Sequence, residues 1–120
     1  MTVIPKYSYK LRPGYESSEL LLEFNCGKSA DDLQNDLFTI LKNANYQLTG
    51  SGDLWMNDEV LFFFNSKKGT VILSRDIWDF FFIMGEKNQT DILKIDHVLS
   101  ENELFLKQEV DFSEYQKPRV

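Results

Sequence analysis

The sequence predicts an α+β fold, in which a mostly antiparallel sheet of about five to six strands carries two helices on one face. Two segments, residues 30–44 and 88–99, place apolar residues at helical spacing. Short apolar segments joined by hairpin-length turns surround them. Residues 1–120 contain no repeat, low-complexity tract or linker, so the sequence predicts a single domain.

Each element follows from its local pattern. Glu19 to Phe24 is a brief apolar run between breakers, which is typical of a strand. Ser29 precedes Asp31 and Asp32, and this order is typical of a helix N-cap. At the ends of the chain, an edge strand or ordered arm is predicted at Tyr7 to Tyr15, within residues 1–17, and a tail at 113–120. The other predicted strands are Tyr46 to Leu48, Leu54 to Met56, Val60 to Asn65, Thr70 to Ser74 and a closing strand at Leu104 to Phe112.

Turn signals separate the strands of the central meander. Gly50-Ser51-Gly52 predicts a turn, and Ser66-Lys67-Lys68-Gly69 predicts a hairpin. Arg75 to Met84 could open as a helix, but its Phe80-Phe81-Phe82-Ile83 run has the composition of a buried strand, so we favour a turn followed by a strand. The apolar stretch Ile77 to Met84 is far shorter than the roughly 20 residues of a membrane span and is assigned to the core.

Charge indicates the kind of partner. The net charge is −6, and residues 29–120 hold all of the acidic excess, because residues 1–28 carry a net charge of +1. A negative field repels phosphate backbones and speeds encounter with basic surfaces, so direct nucleic-acid binding is not expected. The single cysteine, Cys26, cannot form an intramolecular disulfide, and the first residues lack a basic leader and an apolar signal core. These features predict a cytoplasmic protein that binds no membrane.

No catalytic or metal site is predicted. His97, the only histidine, has no second ligand at metal spacing. Cys26 lies where a helix dipole could activate a thiol, yet cysteines are more often simply buried. Gly27-Lys28-Ser29 is similar to the end of a phosphate-binding loop, but Leu22 stands where that loop needs its first glycine. Paired carboxylates, which could in principle do acid–base chemistry but are also ordinary solvated residues at turns and helix starts, occur at Asp31/Asp32, Asp58/Glu59, Asp76/Asp79 and Glu101/Glu103. We therefore expect neither enzyme activity nor a cofactor.

Acidic residues beside the two tryptophans are the preferred candidate site. Large aromatic side chains concentrate binding energy, and carboxylates steer basic partners, so this combination favours binding to a basic protein surface. The alternative is that both tryptophans belong to the core. The predicted partner-binding residues are Asp53, Trp55, Asp58, Glu59, Asp76, Trp78 and Asp79.

The chain resembles the immunity proteins of contact-dependent growth inhibition and related bacterial polymorphic toxin systems. The resemblance covers roughly residues 20–115 and rests on the general order of segments rather than on a diagnostic motif. Those segments are an amphipathic helix ending near Asn43, Trp55-Met-Asn-Asp-Glu59 before an apolar strand, Leu73-Ser-Arg-Asp-Ile-Trp78, Asn88-Gln89 opening a helix, and Leu104 to Asp111.

The resemblance implies a cytoplasmic protein that binds and neutralises the C-terminal domain of a cognate toxin. Such toxins are commonly nucleases, and the immunity protein masks the active site or the basic substrate groove. We expect the free protein to be a monomer. Two other functions stay open at this point. One is a small-molecule-binding domain or small enzyme with an aromatic pocket, and the other is a structural subunit that dimerises through an exposed strand such as the last one.

Overall fold

The computed structural model describes residues 5–14, 19–25, 30–54, 59–67, 69–85 and 89–116. The described residues form an α+β arrangement of strands and helices, as predicted. The elements are β1 (Tyr7–Pro13), β2 (Leu20–Asn25), α1 (Ala30–Asn43), β3 (Gln47–Leu54), β4 (Glu59–Ser66), β5 (Gly69–Asp76), β6 (Phe81–Met84), α2 (Gln89–Ser100), β7 (Phe105–Lys107) and α3 (Ser113–Gln116).

The seven described strands form one sheet, in the order β3-β4-β5-β6-β2-β1-β7. The strands β3 to β6 form an antiparallel meander, in which each strand pairs with the next along the chain. The strand β2 then pairs with β6 and with β1, again antiparallel. Only β1 and β7 pair in parallel among the described strands, so the sheet is mixed and mostly antiparallel. The sheet is one strand larger than the upper end of the prediction.

Both substantial helices pack on one face of this sheet. Alternation along the strands places the buried side chains of neighbouring strands on that face, as in the aligned positions Leu22, Ile83 and Leu73. Helix α1 adds Leu33, Leu37 and Leu41, and α2 adds Ile92, Ile95 and Leu99 to the same hydrophobic cluster. The prediction of two helices on one face is confirmed. None of the helices in the described part of the chain is long and apolar enough to cross a membrane.

Three buried tyrosines connect sheet and helices through aspartate carboxylates. The Tyr7 hydroxyl of β1 donates to Asp36 of α1 at 2.6 Å, and the Tyr9 hydroxyl donates to Asp96 of α2 at 2.9 Å. The Tyr46 hydroxyl, at the start of β3, donates to the buried Asp91 of α2 at 2.8 Å. These three bonds fix both helices against the sheet, because the buried hydroxyls and the buried Asp91 carboxylate would otherwise lose hydration without compensation.

Burial is the main cause of a raised pKa at all three hydroxyls. It raises the pKa of Tyr7 to about 12, with the hydrogen bond to Asp36 acting in the same direction. It also raises the pKa of Tyr9 and of Tyr46, again with support from their aspartate partners. A phenolate beside a carboxylate in a poorly hydrated site is disfavoured, so the hydroxyls stay protonated well above neutral pH.

Several predicted boundaries are wrong. Strand β1 is not an edge strand or an arm, because it lies between β2 and β7. Gly50-Ser51-Gly52 is not a turn: β3 runs through it, with a bulge between Leu48 and Gly50. An edge strand tolerates glycine and a bulge because only one side of it needs regular pairing.

The end of the described chain also differs from prediction. The closing strand is only three residues long, and residues 113–116 form a short helix where a tail was expected. The pair of helices at residues 30–44 and 88–99 is confirmed within a residue at each described end. The turn-and-strand interpretation of Arg75 to Met84 is also confirmed, with β6 as the strand.

Candidate functional site: the turn between β5 and β6

Residues 77–80, which we call the β5–β6 turn, expose an unusual amount of apolar surface. Ile77 is 61% exposed, Trp78 66% and Phe80 55%. Single exposed hydrophobic residues are ordinary on protein surfaces, but three large ones within four positions concentrate apolar surface on one turn. The described residues also include Leu48, Leu93, Leu106 and Phe112 as exposed hydrophobics, each on a different element or segment.

The Asp76 carboxylate fixes the backbone of this turn. Its Oδ1 atom accepts a hydrogen bond from the Trp78 N–H at 2.9 Å and another from the Phe80 N–H at 3.0 Å. The Asp76 N–H in turn donates to the Phe80 carbonyl at 3.2 Å. Asp79 has a φ of 62°, a left-handed conformation that aspartate tolerates better than most residues. The turn therefore has a defined shape, although its apolar side chains face solvent.

Arg75 connects the turn to helix α1. Its Nε and Nη2 atoms donate to Asp79 Oδ1 at 3.0 and 2.8 Å, and its Nη1 atom donates to Gln34 at 2.8 Å and to Asp31 at 3.1 Å. Burial alone would lower the pKa of Arg75, but the hydrogen bonds and charges of Asp79 and Asp31 outweigh it and raise the pKa. The guanidinium stays charged and holds turn and helix together.

Carboxylates collect at this end of the sheet. The register places Glu59 directly opposite Asp76, and the Glu59 carboxylate accepts a hydrogen bond from the Ser74 hydroxyl. Asp31 at the start of α1 lies against the same Arg75, and its side chain is 88% exposed. Asp31 and Asp79 pair with Arg75, whereas Glu59 and Asp76 bond to Ser74 and to the turn backbone, so these four carboxylates outnumber the one guanidinium among them.

Phe80 also borders a concave region of the surface. The cavity beside it has a volume of about 550 Å³ and a mixed lining that includes Lys10, Arg12, Glu23 and Phe82. The turn is therefore a projection next to a depression. This relief is suited to interlocking with another macromolecule, since specific interfaces need shape complementarity.

The structure brings together four of the seven predicted partner-binding residues. Glu59, Asp76, Trp78 and Asp79 lie at one end of the sheet. The backbone of Asp53 lies in β3 opposite Val60, one strand further out. Trp55 and Asp58 lie outside the described residues.

Sequence reasoning missed Ile77 and Phe80, which it assigned to the core with the rest of the apolar stretch to Met84. Only Phe81 and Ile83 of that stretch are fully buried. The signal for the difference was present: Asp76 and Asp79 bracket the first apolar residues, and aspartate two residues before a chain reversal is typical of a side-chain-capped turn. Trp78 itself is exposed, so the alternative of a core tryptophan is wrong for this residue.

The candidates for chemistry are not assembled into a site in the described part of the chain. His97 is exposed near the end of α2, with its Nε2 atom 3.8 Å from Glu101. The described residues contain no group of three or more His, Cys, Asp or Glu that could hold a metal ion. Cys26 and Gly27-Lys28-Ser29 lie outside those residues.

Comparison with known proteins returned no relative. No family model, no curated protein sequence and no solved structure matches this chain.

Proposed function

We propose that this protein is a binding protein that neutralises a cognate toxin domain, a nuclease with a basic substrate groove, by docking the β5–β6 turn against it. The single observation that carries the proposal is the exposure of Ile77, Trp78 and Phe80 on a turn of fixed shape. Aromatic anchors that need no reordering bind with a small entropic cost, and such anchors dominate interface energies.

The charge around the turn supports a basic partner. Asp31, Glu59, Asp76 and Asp79 lie at the same end of the sheet as the apolar side chains, and Arg75 offsets one of these charges. A rim of carboxylates around an apolar centre matches the arrangement in which charges steer association while aromatics hold the complex. Since nuclease grooves are basic, the acidic rim would occupy the place of the phosphate backbone. The toxin class follows from the resemblance noted in the sequence.

The first experiment is a pull-down with the tagged full chain from lysate of the native cell, at low and at moderate salt, with mass spectrometry of the bound protein. We expect a basic protein at equal stoichiometry whose expression alone is toxic and whose toxicity co-expression of this chain abolishes. Trp78→Ala should lower the affinity at least tenfold, because central aromatic anchors are worth about 2 kcal/mol or more.

The matched control is Leu93→Ala on α2, which truncates an apolar side chain with a comparable exposed fraction, 47%, on a different element. Both substitutions should leave the free energy of unfolding within about 0.5 kcal/mol of the parent, as is usual for exposed positions. Equal retention of the partner by the two variants would remove the turn from the interface. A captured partner without toxic activity would refute the toxin-neutralising role.

A further inference from the structure

A second surface lies at the opposite edge of the sheet from β7, along strand β3. This strand is the last in the sheet order, and no described strand pairs with its outer side. Its residues 47–51 are exposed, and the segment Gln47–Gly52 contains neither a charged residue nor a proline. Free edges are usually protected by lysine, proline or very short length, and β3 with eight residues has none of these over its first six. Its unpaired backbone groups can accept another strand.

An apolar groove runs beside this edge, on the face that carries α1. It encloses about 480 Å³ and is lined mainly by Phe38, Tyr46, Leu48 and Phe64. Phe38 packs edge-on against Phe64 with ring centroids 5.4 Å apart, which defines the floor of the groove. Leu48 is 46% exposed at its outer wall. A strand added to β3 would direct every second side chain towards this groove, since side chains alternate between the two faces.

The groove carries positive charge on an otherwise acidic chain. Lys42 lines it, is exposed, and makes no ion pair with any described residue. Lys94 lines a second cavity that shares Asn45 with the groove, and its Nζ atom donates to the Ala44 carbonyl at 3.5 Å and lies 5.3 Å from the centre of the Tyr46 ring. Asp91, which lines that second cavity, is buried and bonded to Tyr46. Lys42, the charged residue in the groove lining, can therefore attract a negative group although the chain has a net charge of −6.

We propose that the edge of β3 and this groove form a docking site for an extended acidic peptide segment of a partner protein. The peptide pairs with β3, places an apolar side chain over Phe38 and Phe64, and sets a carboxylate beside Lys42. Backbone pairing supplies affinity in this mode and the groove supplies specificity. A second copy of this chain is a poorer occupant, because two chains of charge −6 repel each other. The site is separate from the β5–β6 turn and does not depend on the proposed toxin.

The test uses the capped peptide acetyl-Thr-Glu-Thr-Phe-Thr-Glu-Thr-amide, which presents phenylalanine and glutamate on one face of an extended strand. In NMR titrations of the full chain, the amide signals of Gln47–Gly52 and of Phe38 and Lys42 should shift, with a Kd of about 1 mM or tighter. The matched peptide with lysine in place of both glutamates should bind more weakly. Lys42→Gln should weaken binding of the acidic peptide about two- to fivefold, as for an exposed ion pair.

The control variant is Lys10→Gln on β1, which removes the same charge on the far half of the sheet and should leave the Kd unchanged. Two N-methylated peptides test the strand pairing directly. Methylation of the Thr set or of the Phe and Glu set removes the N–H groups of one edge only, so one of the two peptides should lose binding and the other keep it. No shift along β3 at about 1 mM, equal binding of both methylated peptides, or shifts produced only by self-association of the chain would overturn the proposal.

Discussion

At the scale of single residues, Asp76 combines two roles that its neighbours separate. Its carboxylate contributes to the negative rim, and the same Oδ1 atom holds the Trp78 and Phe80 N–H groups. Asp79 instead forms an ion pair with Arg75, and the Glu59 carboxylate accepts a hydrogen bond from the Ser74 hydroxyl. An acidic residue near an exposed aromatic is thus not necessarily a contact for a partner, because here it also shapes the turn.

Substitution of Asp76 separates shape from charge. Asp76→Asn keeps an Oδ1 acceptor and removes the charge, so the turn should persist, with unfolding free energy lowered by less than about 1 kcal/mol. Asp76→Ala removes both bonds and should cost about 1–3 kcal/mol. Urea denaturation gives the stabilities, and the amide shifts of Trp78 and Phe80 report the turn. Equal loss of stability in the two variants would mean that the carboxylate does not hold the backbone.

Binding kinetics of the same pair extend the test to the proposed interface. Asp76→Asn should slow association at low salt and leave dissociation nearly unchanged, because it alters the field and not the anchor. Asp76→Ala should also speed dissociation, since Trp78 and Phe80 lose their fixed position. The opposite pattern would place the carboxylate itself in a buried contact.

At the scale of elements, the end of α1 positions one end of the apolar groove beside β3. The helix ends with a Schellman motif. The Asn45 N–H donates to the Lys42 carbonyl at 3.1 Å, and the Tyr46 N–H donates to the Leu41 carbonyl at 2.9 Å. Asn45 adopts the required left-handed conformation, with φ at 70°. The motif turns the chain so that Tyr46 points inward and Gln47 enters the sheet.

Asn45 is therefore sensitive to the type of side chain. Asn45→Ala should lower the free energy of unfolding by about 1 kcal/mol, because alanine resists the left-handed conformation. Asn45→Gly should be neutral or stabilising, since glycine adopts it freely. Thermal unfolding of the two variants measures the difference. If alanine is tolerated as well as glycine, the backbone at this position is not held in the conformation described.

The elements also show how far sequence patterns reach. Helices α1 and α2 and the β4–β5 hairpin were predictable because their periodicity and caps are local properties of the chain. The interior place of β1 was not predictable, because it depends on parallel pairing with β7, nearly the whole chain away. Gly50 and Gly52 have the local signature of a turn, and only the neighbouring strand β4 keeps them extended.

The site was predictable to a similar degree. Trp78 and its acids could be found from composition, since aromatic and acidic residues alternate there. The exposure of Ile77 and Phe80 depends on hydrogen bonds from Asp76, and no apolar pattern records those. The apolar groove beside β3 depends on the order of strands in the sheet, which the sequence does not reveal.

At the scale of the whole molecule, tyrosine hydroxyls couple the fold to alkaline pH. The folded protein holds Tyr7, Tyr9 and Tyr46 with raised pKa values, whereas unfolded tyrosine ionises near about 10. Above that pH the unfolded chain has lost protons that the folded chain still binds, so stability falls as pH rises. The contribution is complete below about pH 10 and is lost towards about pH 12, where Tyr7 ionises.

We expect the urea midpoint to fall steeply above about pH 10. Each tyrosine should lower the free energy of unfolding by about 1.4 kcal/mol per pH unit there. Tyr46→Phe should lower stability at neutral pH, because Asp91 loses one donor, and should make the alkaline decline shallower. Denaturation series at several pH values measure both effects. An unchanged alkaline slope in Tyr46→Phe would show that this hydroxyl does not titrate differently in the folded protein.

The order of strands in the sheet also separates strand pairs that close short loops from strand pairs that join distant segments of the chain. Pairing among β3, β4, β5 and β6 closes only short loops, whereas pairing of β2 with β6 and of β1 with β7 joins distant parts of the chain. Closing a longer loop costs more conformational entropy before any contact repays it. The β5–β6 turn and the β3 edge both belong to the half with short closures. The two proposed docking surfaces therefore lie on strands whose pairing has a low entropic cost of loop closure.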